Sequence, residues 1–161
     1  LDVLSTIAEV FGEVKNAPEL AAAQQQAFEG AVAAASAVLM QRSAANQLLS
    51  ASGDLLRSLL AVADAHLVFA RELFVSSSVL PQICQWAVAA AALREKDPAN
   101  AAYSFLSHFL AASGKVFAAA AEAAAAGAAA SAEQQAAVAA AATLQQCIAA
   151  QGQQLMQTLV V

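Results

Sequence analysis

Turn-forming residues are scarce in this chain: six glycines and three prolines serve 161 residues. A sheet protein of this length needs a turn about every 8–12 residues, so a sandwich or barrel is excluded. Aromatic residues make up only 6% and charged residues only 12%. The core must therefore come from Leu, Val, Ile and a few Phe. Two cysteines and two histidines, far apart, leave no metal-ligand spacing. Cys84 and Cys147 read as reduced core residues of an intracellular protein, and the sequence leaves open whether they meet in space. Basic charge is also thin. With a net charge of −5 and seven scattered Lys and Arg, no face can neutralise a run of phosphates, which excludes a nucleic-acid surface.

What is abundant is alanine, which dominates the 60% hydrophobic content. Alanine is the best helix former but a weak source of burial energy. The fold class that follows is all-α. A mean hydropathy of +0.60 raises the question of a membrane span. Leu73 to Leu93 carries no charge and has about the required length. Ser76, Ser77, Ser78, Pro81, Gln82 and Gln85 interrupt it, and its alanines add little insertion energy, so no membrane insertion is expected.

The clearest local signal runs from Val79 to Leu110. Val79, Leu80, Ile83, Trp86, Ala87, Ala90 and Leu93 recur at three- and four-residue steps, along one helical stripe. Arg94, Glu95 and Lys96 mark an exposed turn. Asp97 suits a capping position, and Pro98 fits the first helical turn. Ala102, Phe105, Leu106, Phe109 and Leu110 form the answering stripe. So short a turn forces an antiparallel helical hairpin.

Further helices are predicted on either side. Asp2–Val14 places Val3, Leu4, Ile7, Val10, Phe11 and Val14 on one face, stopping near Lys15 and Asn16. Pro18 starts a second helix that runs through Gln24, Gln25, Gln26 and Phe28 toward Leu48 and Leu49, with Gly30 a weak point. Gly53 and Asp54 mark a break before the stripe Leu56, Leu59, Leu60, Ala63, Leu67, Ala70 and Phe74. Residues 117–130 are low in complexity and are expected to be a frayed helix or mobile insertion. Order returns at about Ser131, with Leu144, Ile148, Leu155 and Leu159 on one stripe and Gly152 where a neighbour could approach. The first and last residues, Leu1 and Val161, read as cuts through helices of a longer protein. The terminal faces Val3–Ile7–Val10 and Leu155–Leu159 are then expected to be exposed.

Hairpins spaced at roughly 40–45 residues suit a HEAT-type repeat. The expected architecture is an α-solenoid of stacked antiparallel helix hairpins, at approximately 1–52, 53–94 and 97–161, with 117–130 as an insertion. A four-helix bundle is the competing arrangement.

Ile83–Leu93 (ICQWAVAAAAL), the following Arg94–Asn100 (REKDPAN) and the Phe105–Leu106 pair resemble the transportin-SR and importin-13 branch of the importin-β superfamily. Gly152–Leu155 and Leu159 are similar to the family's next helix, and Gly53–Phe74 to its preceding one; Leu4–Gly12 is looser. The resemblance implies a scaffold in nuclear import, shared between nucleus and cytoplasm. Its partners would be Ran-GTP, nucleoporin FG repeats and splicing-factor cargo with arginine–serine domains. The family's arginine-rich cargo helix has no counterpart here, since Arg42, Arg57, Arg71 and Arg94 are isolated.

Catalytic patterns are weak. Asp64 and His66 are two residues apart, which points them away from each other on a helix, so they do not orient one another with Cys84 as nucleophile. His66 falls on the apolar stripe and reads as packed. His108 has no partner in sequence. No phosphate loop, G-x-S-x-G or H-E-x-x-H occurs. The chain is expected not to be an enzyme and to need no cofactor or metal. Trp86 is expected to pack between repeats rather than anchor a partner. The glutamine clusters 24–26, 134–135 and 153–154 read as solvated faces, and no partner-binding residue is identified.

Overall fold

The computed structural model describes residues 1–12, 17–44, 52–126 and 132–159. Seven helices fill these segments: α1 (Asp2–Phe11), α2 (Pro18–Ala44), α3 (Gly53–Phe69), α4 (Arg71–Ser76), α5 (Leu80–Ala91), α6 (Lys96–Ala126) and α7 (Ala132–Leu159). No strand occurs among the described residues. The all-α class is thus established.

α3 occupies the centre, packed on α1 on one side and α6 on the other. α6 also carries α5 and α7, and α7 lies along α5. α2 reaches this assembly through long side chains. Phe28, Val32, Ala35 and Leu39 recur at helical spacing and are all buried. The Phe28 ring stacks on His66 of α3 at 4.2 Å between centroids and meets Phe74 of α4 at 6.1 Å. Phe74 continues to Phe105 of α6 at 6.0 Å, and Phe105 to Phe109 at 5.8 Å. One apolar cluster therefore runs from α2 to α7. Among the described residues, α1 and α7 share no packing face.

The predicted hairpin is present as α5 and α6, joined across exposed Arg94 and Glu95. Its first stripe is buried from Val79 to Ala90, with Leu93 at the margin. In the second, Ala102, Phe105 and Phe109 are buried, but Leu110 is 55% exposed, because it lies a full residue beyond the buried stripe. α6 begins at Lys96, so Asp97 sits inside its first turn rather than before it, and Pro98 falls within that turn.

Other expectations need correction. α1 ends at Gly12, whose φ of 55° stops the helix, and Lys15 and Asn16 lie outside the described residues. On α1 the buried side is Ala8 with partly buried Leu4 and Ile7, while Val3 and Val10 are exposed, as expected of the terminal face. α2 runs unbroken through Gly30 to Ala44, and Leu48 and Leu49 are likewise outside the described residues. The third stripe is buried throughout, but the helix breaks at Ala70, where φ of −134° and ψ of 55° leave helical geometry. Its N–H still donates to His66 O at 2.8 Å and its carbonyl still accepts Phe74 N–H at 2.9 Å, so the break costs few hydrogen bonds.

The alanine-rich segment is not a separate insertion as far as Ala126. It continues α6 as helix, with Val116 and Phe117 against the core and Ala123 buried. The rest of this stretch is mostly exposed, and α6 as a whole packs on α7. α7 begins at Ala132, as the order expected from Ser131 requires. Leu144 is buried and Ile148 partly so. The side chains of Leu155 and Leu159 are outside the described set. Among the described residues, no heavy atom outside its own helix backbone lies within 4 Å of where a Cβ would stand on Gly152.

Candidate functional site

Three polar clusters and one thiol pair hold the helices together, and each joins residues distant in sequence. The first centres on Trp86. Its α5 position puts the ring inward, 6% exposed, where the indole N–H donates to Ser36 Oγ of α2 at 3.0 Å. Ser36 is fully buried. The tryptophan is therefore a packed residue between helices, as its stripe suggested.

The second centres on Glu29 of α2. Its Oε1 accepts the Ser78 backbone N–H at 2.9 Å, the Ser77 hydroxyl at 3.0 Å and Gln25 Nε2–H at 3.3 Å. The backbone donor just ahead of α5 is the main reason its carboxyl lies below the usual carboxylate range. An open groove of about 520 Å³ runs beside it, lined among others by Gln25, Gln26, Glu29, Gly30 and Val79. Gln24 is not on a solvated face. It is 7% exposed and donates to Gly12 O at 3.4 Å, while Gln26 is exposed as expected.

The third joins α3 to α6. Asp64 does not orient His66; it pairs with His108, Oδ1 to Nδ1 at 2.7 Å. Ser104 Oγ donates to the other Asp64 oxygen at 3.5 Å. The order is thus serine, carboxylate, imidazole. Acyl-transfer chemistry needs the imidazole in the middle, between nucleophile and carboxylate. Half-exposed His108 and its neighbours do not supply that order.

His66 itself is fully buried. Nδ1 lies 2.9 Å from the Val62 carbonyl, which sets it as the protonated nitrogen, and Nε2 has no partner among the described residues. Burial lowers its pKa, with the Val62 carbonyl opposing, so the ring is neutral near pH 7. It is a core residue, stacked on Phe28.

Cys84 of α5 and Cys147 of α7, the two cysteines of the chain, are both free and buried. Each thiol shifts the ionisation of the other. Donation from Cys84 lowers Cys147 to about 7, while the same contact, with burial, pushes Cys84 up.

Among the described residues, no group of three or more His, Cys, Asp or Glu could hold a metal ion. No helix among them is long and apolar enough to cross a membrane. Helical phase could place each of these residues on a face but gave no signal for partners some 40 or more positions away. Comparisons with family models, curated proteins and solved structures gave no match.

Proposed function

We propose that this chain is a non-catalytic protein-interaction scaffold, a HEAT-type solenoid segment of the kind found in nuclear import receptors of transportin-SR type. The observation that carries the architectural part is the packing order. α1, α3 and α6 pack successively, α7 packs on α5 and α6, and α2 lies against α3 and α4 and reaches α5 through the Trp86–Ser36 bond. A solenoid packs each repeat only on its neighbours and leaves its end helices apart, which fits the lack of a shared face between α1 and α7. The import role rests on the residues 83–106, 152–155 and 159 that resemble that family. In this reading Ran-GTP, FG repeats and arginine–serine cargo are partners of a full-length receptor, in nucleus and cytoplasm, with the arginine-rich cargo helix outside this segment.

The test is a pull-down with this chain and with a full-length receptor containing it, against Ran-GTP and a phosphorylated arginine–serine peptide. Binding by the longer protein, with little by this segment, supports the reading. Absence of binding by both removes the import role.

A second reading, a self-contained helical bundle with a structural or partner-binding role, is favoured by the unbroken ring ladder Phe28–Phe74–Phe105–Phe109. Removal of α7 separates the two. A solenoid keeps cooperative unfolding of α1–α6, whereas a closed bundle loses it.

A further inference from the structure

His66 is fully buried where α2 meets α3, and its ring forms part of that seam. The imidazole stacks on Phe28 of α2 at 4.2 Å between centroids, with 24° between the planes. Nδ1 is spent on the Val62 carbonyl at 2.9 Å, and Nε2 has no partner among the described residues. A neutral ring is tolerated there, because only a lone pair goes unmet. An imidazolium brings a charge and a second N–H to a place where nothing accepts either. On the elements packed against α3, the charged side chains of α1 (Asp2, Glu9), of α4 (Arg71, Glu72) and of α6 are exposed. Glu29 of α2 is committed to Ser77 and Ser78, Asp64 of α3 itself is taken by His108, and α5 offers only Cys84. Among the described residues, no carboxylate meets the ring to compensate a charge on it.

α2 is the element such a charge would lift. Its seat in the core is Phe28, Val32, Ala35 and Leu39, with the Glu29 and Ser36 bonds as polar ties to the turn before α5 and to Trp86. We propose that His66 is a pH-sensitive latch for α2: protonation of its buried ring opens the α2 seam ahead of the rest of the fold and uncovers Phe74 and Trp86, which Phe28 and Ser36 of α2 meet. The open form takes up the proton at the ordinary histidine value of about 6.5. The closed form binds it less readily, because burial opposes the charge. Opening is therefore favoured by up to about tenfold for each pH unit below about 6.5, until the closed form itself titrates. Once detached, a helix rich in alanine and glutamine has no partner to hold it, so its amides exchange with water.

This proposal is independent of the import reading and is tested by hydrogen–deuterium exchange of the whole chain from pH 7.5 to 5, with rates corrected for the intrinsic pH dependence of exchange. Stopping at pH 5 keeps Glu29 ionised, since its carboxyl lies below the usual range. Amides of α2 should be less protected than those of α6 and nearly indifferent to low urea, as a local opening requires. Their protection should fall by up to about tenfold for each pH unit below about 6.5. His66→Phe keeps a ring against Phe28 and should remove that slope. Phe28→Leu keeps the histidine, so the slope should remain while α2 protection drops at every pH. His108→Gln, at the other histidine of the chain, should change neither. A slope that survives in His66→Phe would overturn the proposal. So would a flat profile in the parent or in Phe28→Leu, or α2 and α6 exchanging with one common protection.

Discussion

Replacing Trp86 by alanine is the sharpest test of the reading that this residue belongs to the core. The ring is 6% exposed between α2 and α5, and deletion of a large buried aromatic costs about 3–5 kcal/mol. The change also strands the fully buried Ser36 hydroxyl, which adds about 1 kcal/mol. At roughly 2–4 °C per kcal/mol for a chain of this size, the melting temperature should fall by about 10–20 °C. The hydrogen bond can be isolated from the volume change. Ser36→Ala leaves the indole N–H unpaired and should cost about 1–3 kcal/mol. A cycle of Trp86→Phe and Ser36→Ala should return a coupling of about 0.5–1.5 kcal/mol. Thermal and urea melts followed by circular dichroism measure all of these. A Trp86→Ala protein that melts with the parent but fails to bind a partner would refute the core assignment and make the ring an interface anchor.

Three further perturbations follow from single sites. His66 has a lowered pKa when folded, so the unfolded chain binds the extra proton; stability should fall as pH drops below about 6.5, and His66→Phe should flatten that slope in urea melts from pH 7.5 to 5. Glu29 also has a lowered pKa, so its contribution is present above the unfolded value and is lost as pH falls through the folded one; Glu29→Ala should cost about 1–2 kcal/mol at pH 7 and less near pH 3. Gly12 has φ of 55°, and a Cβ there would stand 3.2 Å from Phe69 O; Gly12→Ala should cost about 1–3 kcal/mol in chemical denaturation, and no loss would mean the α1 terminus relaxes.

The sequence alone determined the all-α class, the α5–α6 hairpin and most of the buried stripe, because helical periodicity is a local property. Leu56, Leu59, Leu60, Ile83, Ala87 and Phe105 lie inside as their spacing required. The burial of Trp86 and His66 was legible for the same reason. Tertiary structure decided which stripe residues fall at a margin, so that Leu110 faces outward despite its apolar character. It also made residues 117–126 a continuation of α6, seated by Val116, Phe117 and buried Ala123. Above all it chose the pairs: Ser36 with Trp86, Glu29 with Ser77 and Ser78, Asp64 with His108, and Cys84 with Cys147. Each joins different helices, and no periodicity within one helix encodes the position of its neighbour. That information resides in the packing of the helices.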